Sequence, residues 1–231
     1  MGRRVLIEVE VIYLGIEEEI KKQLSQLPET TVLYLNTDTP NYYRAMLATV
    51  DYLVNTLHYG GVYISSTRPV SDIKIQMEAS GISTSEIYFV DSVIYLVGGK
   101  GAEERTVFVE SPAMLESIML KLDWQLKQVK TPTKFVFFDS INGLAVYNEE
   151  NLLMEFIHVF TNNMRLRDHY TVLMSVREQT PTKVDSILKL TCDDVLEVGV
   201  GSETMVKEVE KGAIDVSDPE SEMKTINGGE G

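Results

Sequence analysis

Two stretches of the sequence carry residue types that could do chemistry. In "KFVFFDS" (134–140) an apolar run ends in an acid and a hydroxyl, Asp139 and Ser140. Their oxygens are hard ligands, and a carboxylate fixed at the end of a buried strand can hold the water shell of a magnesium ion. The same pattern is common at plain helix and turn starts, where the carboxylate only accepts hydrogen bonds. The second stretch, "NTDTPNYYRAM" (36–46), lies between a strand-like apolar run and an amphipathic helix. A turn placed there can bind phosphate through backbone N–H groups if it has glycines to close round the anion, a lysine to reach it and a hydroxyl for the metal. Asp38, Thr39, Pro40, Asn41, Tyr42, Tyr43 and Arg44 include neither glycine nor lysine. Their Cβ atoms resist the left-handed backbone open to glycine, the tyrosine rings fill the space a phosphate needs, and Asp38 adds a like charge. Arg44 could replace the lysine, but nothing in the sequence builds a cradle around it.

Other candidate chemistry is thin. "GGKGAEER" (98–105) has a lysine among glycines, but not at phosphate-loop spacing, and reads as an exposed loop. Cys192, His58, His158 and His169 have no zinc spacing, so no metal site is expected. No G-x-S-x-G elbow exists, and no catalytic residue is assigned. Arg165 and Arg167, beside Asp168 and His169, could form an inter-subunit basic finger, although a solvated helix end suits them better. Met119 and Trp124 share a helical stretch with Leu115 and Leu122 and read as core.

The elements that must position these residues follow from periodicity. Strands are expected at 5–14, 31–36, "GVYISST", "EIYFVDSVIYLVGG" (one or two), 134–140 and "YTVLMSV". "SILKLTCDDVLEVGV" is expected to supply the last strands. Helices are expected over "IEEEIKKQLSQL" up to Pro28, 44–60 with Gly60 and Gly61 as the stop, 70–80 up to Gly81, the stretch after a Ser111–Pro112 cap, and "NLLMEFIHVFTNNMRLRD". This alternation implies a mainly parallel sheet covered on both faces, with any ligand beyond the carboxyl ends of its strands. The expected organisation is an N-terminal strand-helix extension over 1–30, one α/β domain over 31–200 and an acidic, disordered tail over 201–231 in which "ETMVKEVEKG" could form a short helix.

Composition narrows the partners. The 231 residues are 44% hydrophobic, enough for one substantial core, and the net charge of −14 disfavours nucleic acid. One cysteine fits a reducing, cytoplasmic setting, and no segment reaches the ~18–20 apolar residues of a membrane span.

"TVLYLN", the turn, "YLVNTLHYGG", "VYISSTRP", "GISTSEIYFVD", "VESPAMLESIMLKL" and "KFVFFDSINGLAVYN" together resemble the RecA superfamily, in particular archaeal KaiC-like and RadA-like ATPases, over about residues 31 to 198. The resemblance implies a RecA-like three-layer α/β sandwich, the P-loop NTPase fold. It makes residues 38–44 a degenerate Walker A turn and Asp139 with Ser140 a Walker B-like pair. It also places Ser66 and Thr67 where the family has a carboxylate that activates water, and Arg177, Glu178 and Gln179 where polar residues sense a γ-phosphate. Neither hydroxyl can serve as that base at neutral pH. The function implied is a non-hydrolysing pseudo-ATPase acting on a protein partner, such as an active paralogue or a second copy, with no cofactor. Asp139 then keeps a structural role. The alternatives are an ATPase or kinase binding ATP and magnesium through Arg44 and Asp139, and a RadA-like DNA accessory that uses an exposed Tyr42–Tyr43–Arg44 patch.

Overall fold

A computed structural model describes residues 15–199. Its elements, in chain order, are α1 (Ile16–Leu24), β1 (Val32–Thr37), α2 (Tyr42–Asp51), β2 (Gly60–Ser65), α3 (Val70–Ala79), β3 (Ile87–Asp91) and β4 (Thr106–Phe108). They continue with α4 (Leu115–Leu126), β5 (Lys134–Asp139), α5 (Ile141–Ala145), α6 (Glu150–Leu166), β6 (Tyr170–Val176), α7 (Thr182–Thr191) and β7 (Asp194–Val198). The expected strand at 5–14 and the acidic segment 201–231, with its short helix, lie outside the described residues.

All seven strands run parallel in one sheet, in the order β4-β3-β2-β5-β6-β1-β7. Parallel strands need crossover connections, and the helices that make them bury both sheet faces. Side chains alternate accordingly. Leu33, Leu35, Tyr63, Phe135 and Phe137 point into the layer formed with α1, α2 and α3. Val32, Tyr34, Ile64, Val136 and Phe138 point into the layer formed with α4, α5, α6 and α7. Burying a phenylalanine of this kind stabilises the fold by about 2–3 kcal/mol, so the β5 rings anchor both layers.

Several local expectations give way to packing. Gly60 and Gly61 do not stop a helix; they begin β2. A Cβ on Gly61 would overlap the Phe135 ring and carbonyl, so glycine is what lets β2 lie against β5 there. The preceding helix instead passes into a π-helical turn over Tyr52–Thr56 and ends at His58, whose φ is 58°. Residues 92–99 after β3 form turns, and β4, a strand not expected from the sequence, pairs beside β3. Ser111 accepts a hydrogen bond from the Ala113 N–H at 3.2 Å in a turn ahead of α4 and does not cap the helix, which starts at Leu115. "SILKLT" is the end of α7, not a strand, because Val184 and Leu188 bury at helical spacing. No helix among the described residues is long and apolar enough to cross a membrane.

Candidate functional site

The candidate site lies at the carboxyl ends of β1, β2, β5 and β6. Strand register brings its parts together: Ser65 of β2 pairs with Asp139 of β5, Asp139 with Met174 of β6, and Thr37 of β1 with Val176 of β6.

Asp139 is fully buried. Oδ1 accepts from the Tyr42 hydroxyl at the start of α2, and Oδ2 accepts from the Tyr63 hydroxyl of β2. Tyr63 pairs with Phe137, two residues before Asp139, and stacks on it with ring centroids 5.2 Å apart, so its hydroxyl reaches the strand end along the sheet face. Burial raises the Asp139 pKa above its ordinary value, opposed by the two tyrosyl donors and by Arg68. Burial and the adjacent Asp139 carboxylate push both phenols up, which keeps them protonated as donors. Strand β3 ends in the same Asp-Ser pair. There, Asp91 accepts the backbone N–H groups of Val70, Val93 and Ile94 at 2.8–2.9 Å.

The turn between β1 and α2 is closed by carboxylates. Asp38, itself buried, accepts from the Asn41 N–H at 3.0 Å and from the Asn41 amide at 2.8 Å. Glu178, from the short helical turn after β6, accepts from the Thr39 N–H and hydroxyl, each at 3.1 Å. Pro40 has no N–H to offer. Arg44 forms a two-pronged pair with Glu17 of α1, at 2.7 and 2.9 Å. The expected exposed Tyr42–Tyr43–Arg44 patch therefore does not exist as one surface: Tyr42 turns its hydroxyl to Asp139, while Tyr43 lies under the Arg68 guanidinium, 4.4 Å from its ring centroid.

Ser66 and Ser140 bind each other's strand ends. The Ser66 hydroxyl donates to the Ser140 carbonyl at 2.6 Å and accepts from the Ser140 N–H at 3.1 Å. Helix α5 packs so close that a Cβ on Gly143 would overlap Ser66. Thr67 stays exposed, with its hydroxyl 3.4 Å from that of Tyr42. Asn142 spans to the end of β6, accepting from the Val176 N–H at 3.1 Å and donating to Gln179 at 3.0 Å. A cleft of about 220 Å³ remains, lined by Thr39, Tyr42, Tyr43, Thr67, Arg68 and neighbouring residues. The Ser140 hydroxyl at its edge is buried and has no hydrogen-bond partner.

This arrangement gathers residues 38–43, 66–67, 139–140 and 178–179 and leaves Arg44 paired elsewhere. Magnesium would have to displace a tyrosyl hydroxyl to reach Asp139 directly. Tyr63, Arg68 and Asn142 are site residues that the sequence reading missed; the signal for Tyr63 is a polar-tipped ring in the buried strand "GVYIS".

The outlying candidates are engaged in packing. Arg165 is bonded to Asp193 at 2.8 Å and Arg167 to Asp123 at 3.2 Å, so the end of α6 is pinned rather than freely solvated. Burial lowers the His169 pKa. Trp124 is exposed, contrary to the core role expected for it, and Met119 packs partly buried against the second core layer.

No family model matches the sequence, and no curated protein matches it. Solved structures do. A KaiC-like protein of the hyperthermophilic archaeon Pyrococcus horikoshii aligns over 74% of this chain and 73% of its own, at 14% identity and a TM-score of 0.54. An uncharacterized protein of the same organism, in complex with an unknown peptide, covers 80% of this chain and 84% of its own at 12% identity and a TM-score of 0.57. The flagellar accessory protein FlaH of Methanocaldococcus jannaschii covers 84% of each chain at 14% identity and a TM-score of 0.53. At such identities the likeness establishes the fold, and the chain has the all-parallel α/β architecture of the archaeal KaiC-like and FlaH RecA-fold proteins.

Proposed function

We propose that this chain is a non-hydrolysing RecA/KaiC-like domain, a pseudo-ATPase that acts as a regulatory or protein-interaction module. The observation that carries the reading is the Tyr42 hydroxyl bound to Asp139, which puts a phenol where a metal-bound nucleotide would meet the Walker B-like carboxylate. Two further facts support it. The N–H groups of Thr39 and Asn41, which a phosphate would need, already donate to Glu178 and Asp38. The position of the water-activating carboxylate carries Ser66 and Thr67, and Ser66 is committed to Ser140. Turn 38–44 is thus a degenerate phosphate loop with no resident nucleotide.

A domain without chemistry of its own acts by what it binds. A protein partner, an active paralogue among the candidates, suits a net charge of −14, which repels nucleic acid. One structural relative was solved with a peptide bound, which supports the same reading.

Isothermal titration with ATP and magnesium tests the proposal. The expected result is no saturable heat at millimolar nucleotide. Saturable binding that Asp139→Ala weakens would overturn it in favour of an unorthodox ATPase or kinase.

A further inference from the structure

We infer that the groove between α4 and α6 docks a basic amphipathic helix from a partner protein; the inference rests on the interaction-module reading for its choice of a protein as occupant. Helix α6 buries Leu153, Phe156, Ile157, Phe160 and Met164 against the sheet. Beyond that stripe it exposes Leu152 and Val159, seven residues and about two turns apart on one side, with the edge of Phe156 between them at the floor of the groove. Helix α4 faces it with Met119 and Leu120. Together these side chains line a groove of about 540 Å³. Leu120, Leu152 and Val159 are each at least half exposed, as is Trp124, which adjoins Leu120 on the outer side. Contiguous exposed apolar surface of this kind marks an interaction site, and apolar rows at helical spacing are how grooves take helices.

Charge selects the occupant. The groove is also lined by Glu116, Asp123 and Glu155, and by no lysine or arginine. Arg167 pairs with Asp123, whereas Glu116 and Glu155 have no ion pair among the described residues. Two unneutralised carboxylates beside apolar side chains favour a helix with lysines or arginines flanking its leucines. The chain's own segment 201–231, with eight acids against three lysines, has the wrong sign.

The test uses the full chain and a synthetic leucine/lysine helix of about 18 residues, or five turns, beside a counterpart with glutamate in place of lysine. Trp124 is the only tryptophan and lies beside Leu120 at the edge of the groove, so its emission reports a helix long enough to cover that edge. The expected result is a saturable blue shift with the lysine peptide and none with the glutamate peptide. Leu120→Asp and Val159→Asp, both at exposed positions, should each weaken binding roughly tenfold or more. The double variant Glu116→Lys/Glu155→Lys should reverse the peptide preference. No saturable shift, or binding unaltered by these variants, overturns the inference. So does self-association by sedimentation that Leu120→Asp abolishes, because the occupant is then a second copy. Titrating the same samples with ATP and magnesium keeps the two readings apart: nucleotide heat would sink the pseudo-ATPase assignment and leave the peptide result standing.

Discussion

The Tyr42 hydroxyl, on the first residue of α2, donates to Oδ1 of Asp139 at the end of β5, a contact between residues 97 apart in sequence. It closes the space between the turn after β1 and the buried carboxylate, and the Tyr63 hydroxyl satisfies the other oxygen from within the sheet. Asp139 is thereby held as a buried hydrogen-bond acceptor between two phenols.

Removing either phenol should cost stability in proportion to how dry it leaves Asp139. Tyr63→Phe strands a fully buried oxygen and should lower unfolding free energy by about 2–3 kcal/mol; Tyr42→Phe, at the cleft wall where water can enter, should cost about 1–2 kcal/mol. Urea midpoints of the two variants check the order. A larger loss for Tyr42→Phe would mean that the cleft excludes water.

The same pair sets a pH dependence. Burial raises the Asp139 pKa above its ordinary 3.8, so the folded state holds that proton more tightly than the unfolded chain. The group's contribution is therefore most favourable below the unfolded value and declines as pH rises through the raised folded value. Asp139→Asn removes this titration. The stability of the native chain relative to D139N should fall from about pH 4 upward until the folded pKa is passed. Parallel stability curves for the two proteins would refute the assignment.

Much of the fold was legible because the strongest strands are buried on both faces. "YTVLMSV" is β6 residue for residue, since a mostly apolar run rich in strand-forming residues and bounded by polar ones has few other uses. Where the sequence misled, a local pattern imitated another. The alternation in "SILKLT" suggests a strand, yet Leu190 is exposed and the buried positions are Val184 and Leu188, four apart on a helix. Trp124 follows Leu122 by two residues, about 200° round the helix, so it faces away from the stripe of Leu115, Ile118 and Leu122. In the site, the bulk of the 38–44 turn could be read directly. Its partners could not, because Glu178 and Asp139 meet it only through parallel register between distant strands.

Gly61→Ala tests the close approach of β2 to β5. The added Cβ would overlap the Phe135 carbonyl and ring, and the carbonyl, as backbone in the next strand, cannot rotate away. Overpacking of this kind should cost about 1–3 kcal/mol, read as a lower thermal midpoint without loss of parallel-sheet signal. A neutral result would show that the two strands slide apart at no cost.

The Arg44–Glu17 pair should contribute little, as a double-mutant cycle over Arg44→Ala and Glu17→Ala measures. The Arg44 guanidinium meets Glu17 at an exposed site, and such pairs contribute about 0.2–1 kcal/mol, screened by salt. Arg44 holds the Glu17 pKa below its ordinary 4.5, so the contribution is present above that value and is lost as pH falls through the lowered one. A coupling energy well beyond that range, or one indifferent to salt, would give the pair a larger role than bracing α2 against α1.

Cys192 should be chemically quiet until the domain opens. It follows α7, packs against the second core layer, and burial pushes its thiol up to about 12 despite the nearby Arg165. The thiolate is the reactive form, so at pH 8 a shift from the ordinary 9.0 to about 12 reduces its population about a thousandfold. Ellman's reagent should therefore modify the folded chain at least about tenfold more slowly than the same chain in urea, the higher nucleophilicity of a high-pKa thiolate offsetting part of the population loss. Immediate, complete modification of the native protein would show that the segment between α7 and β7 leaves the core spontaneously, and that Arg165, bonded to Asp193 there, does not pin it.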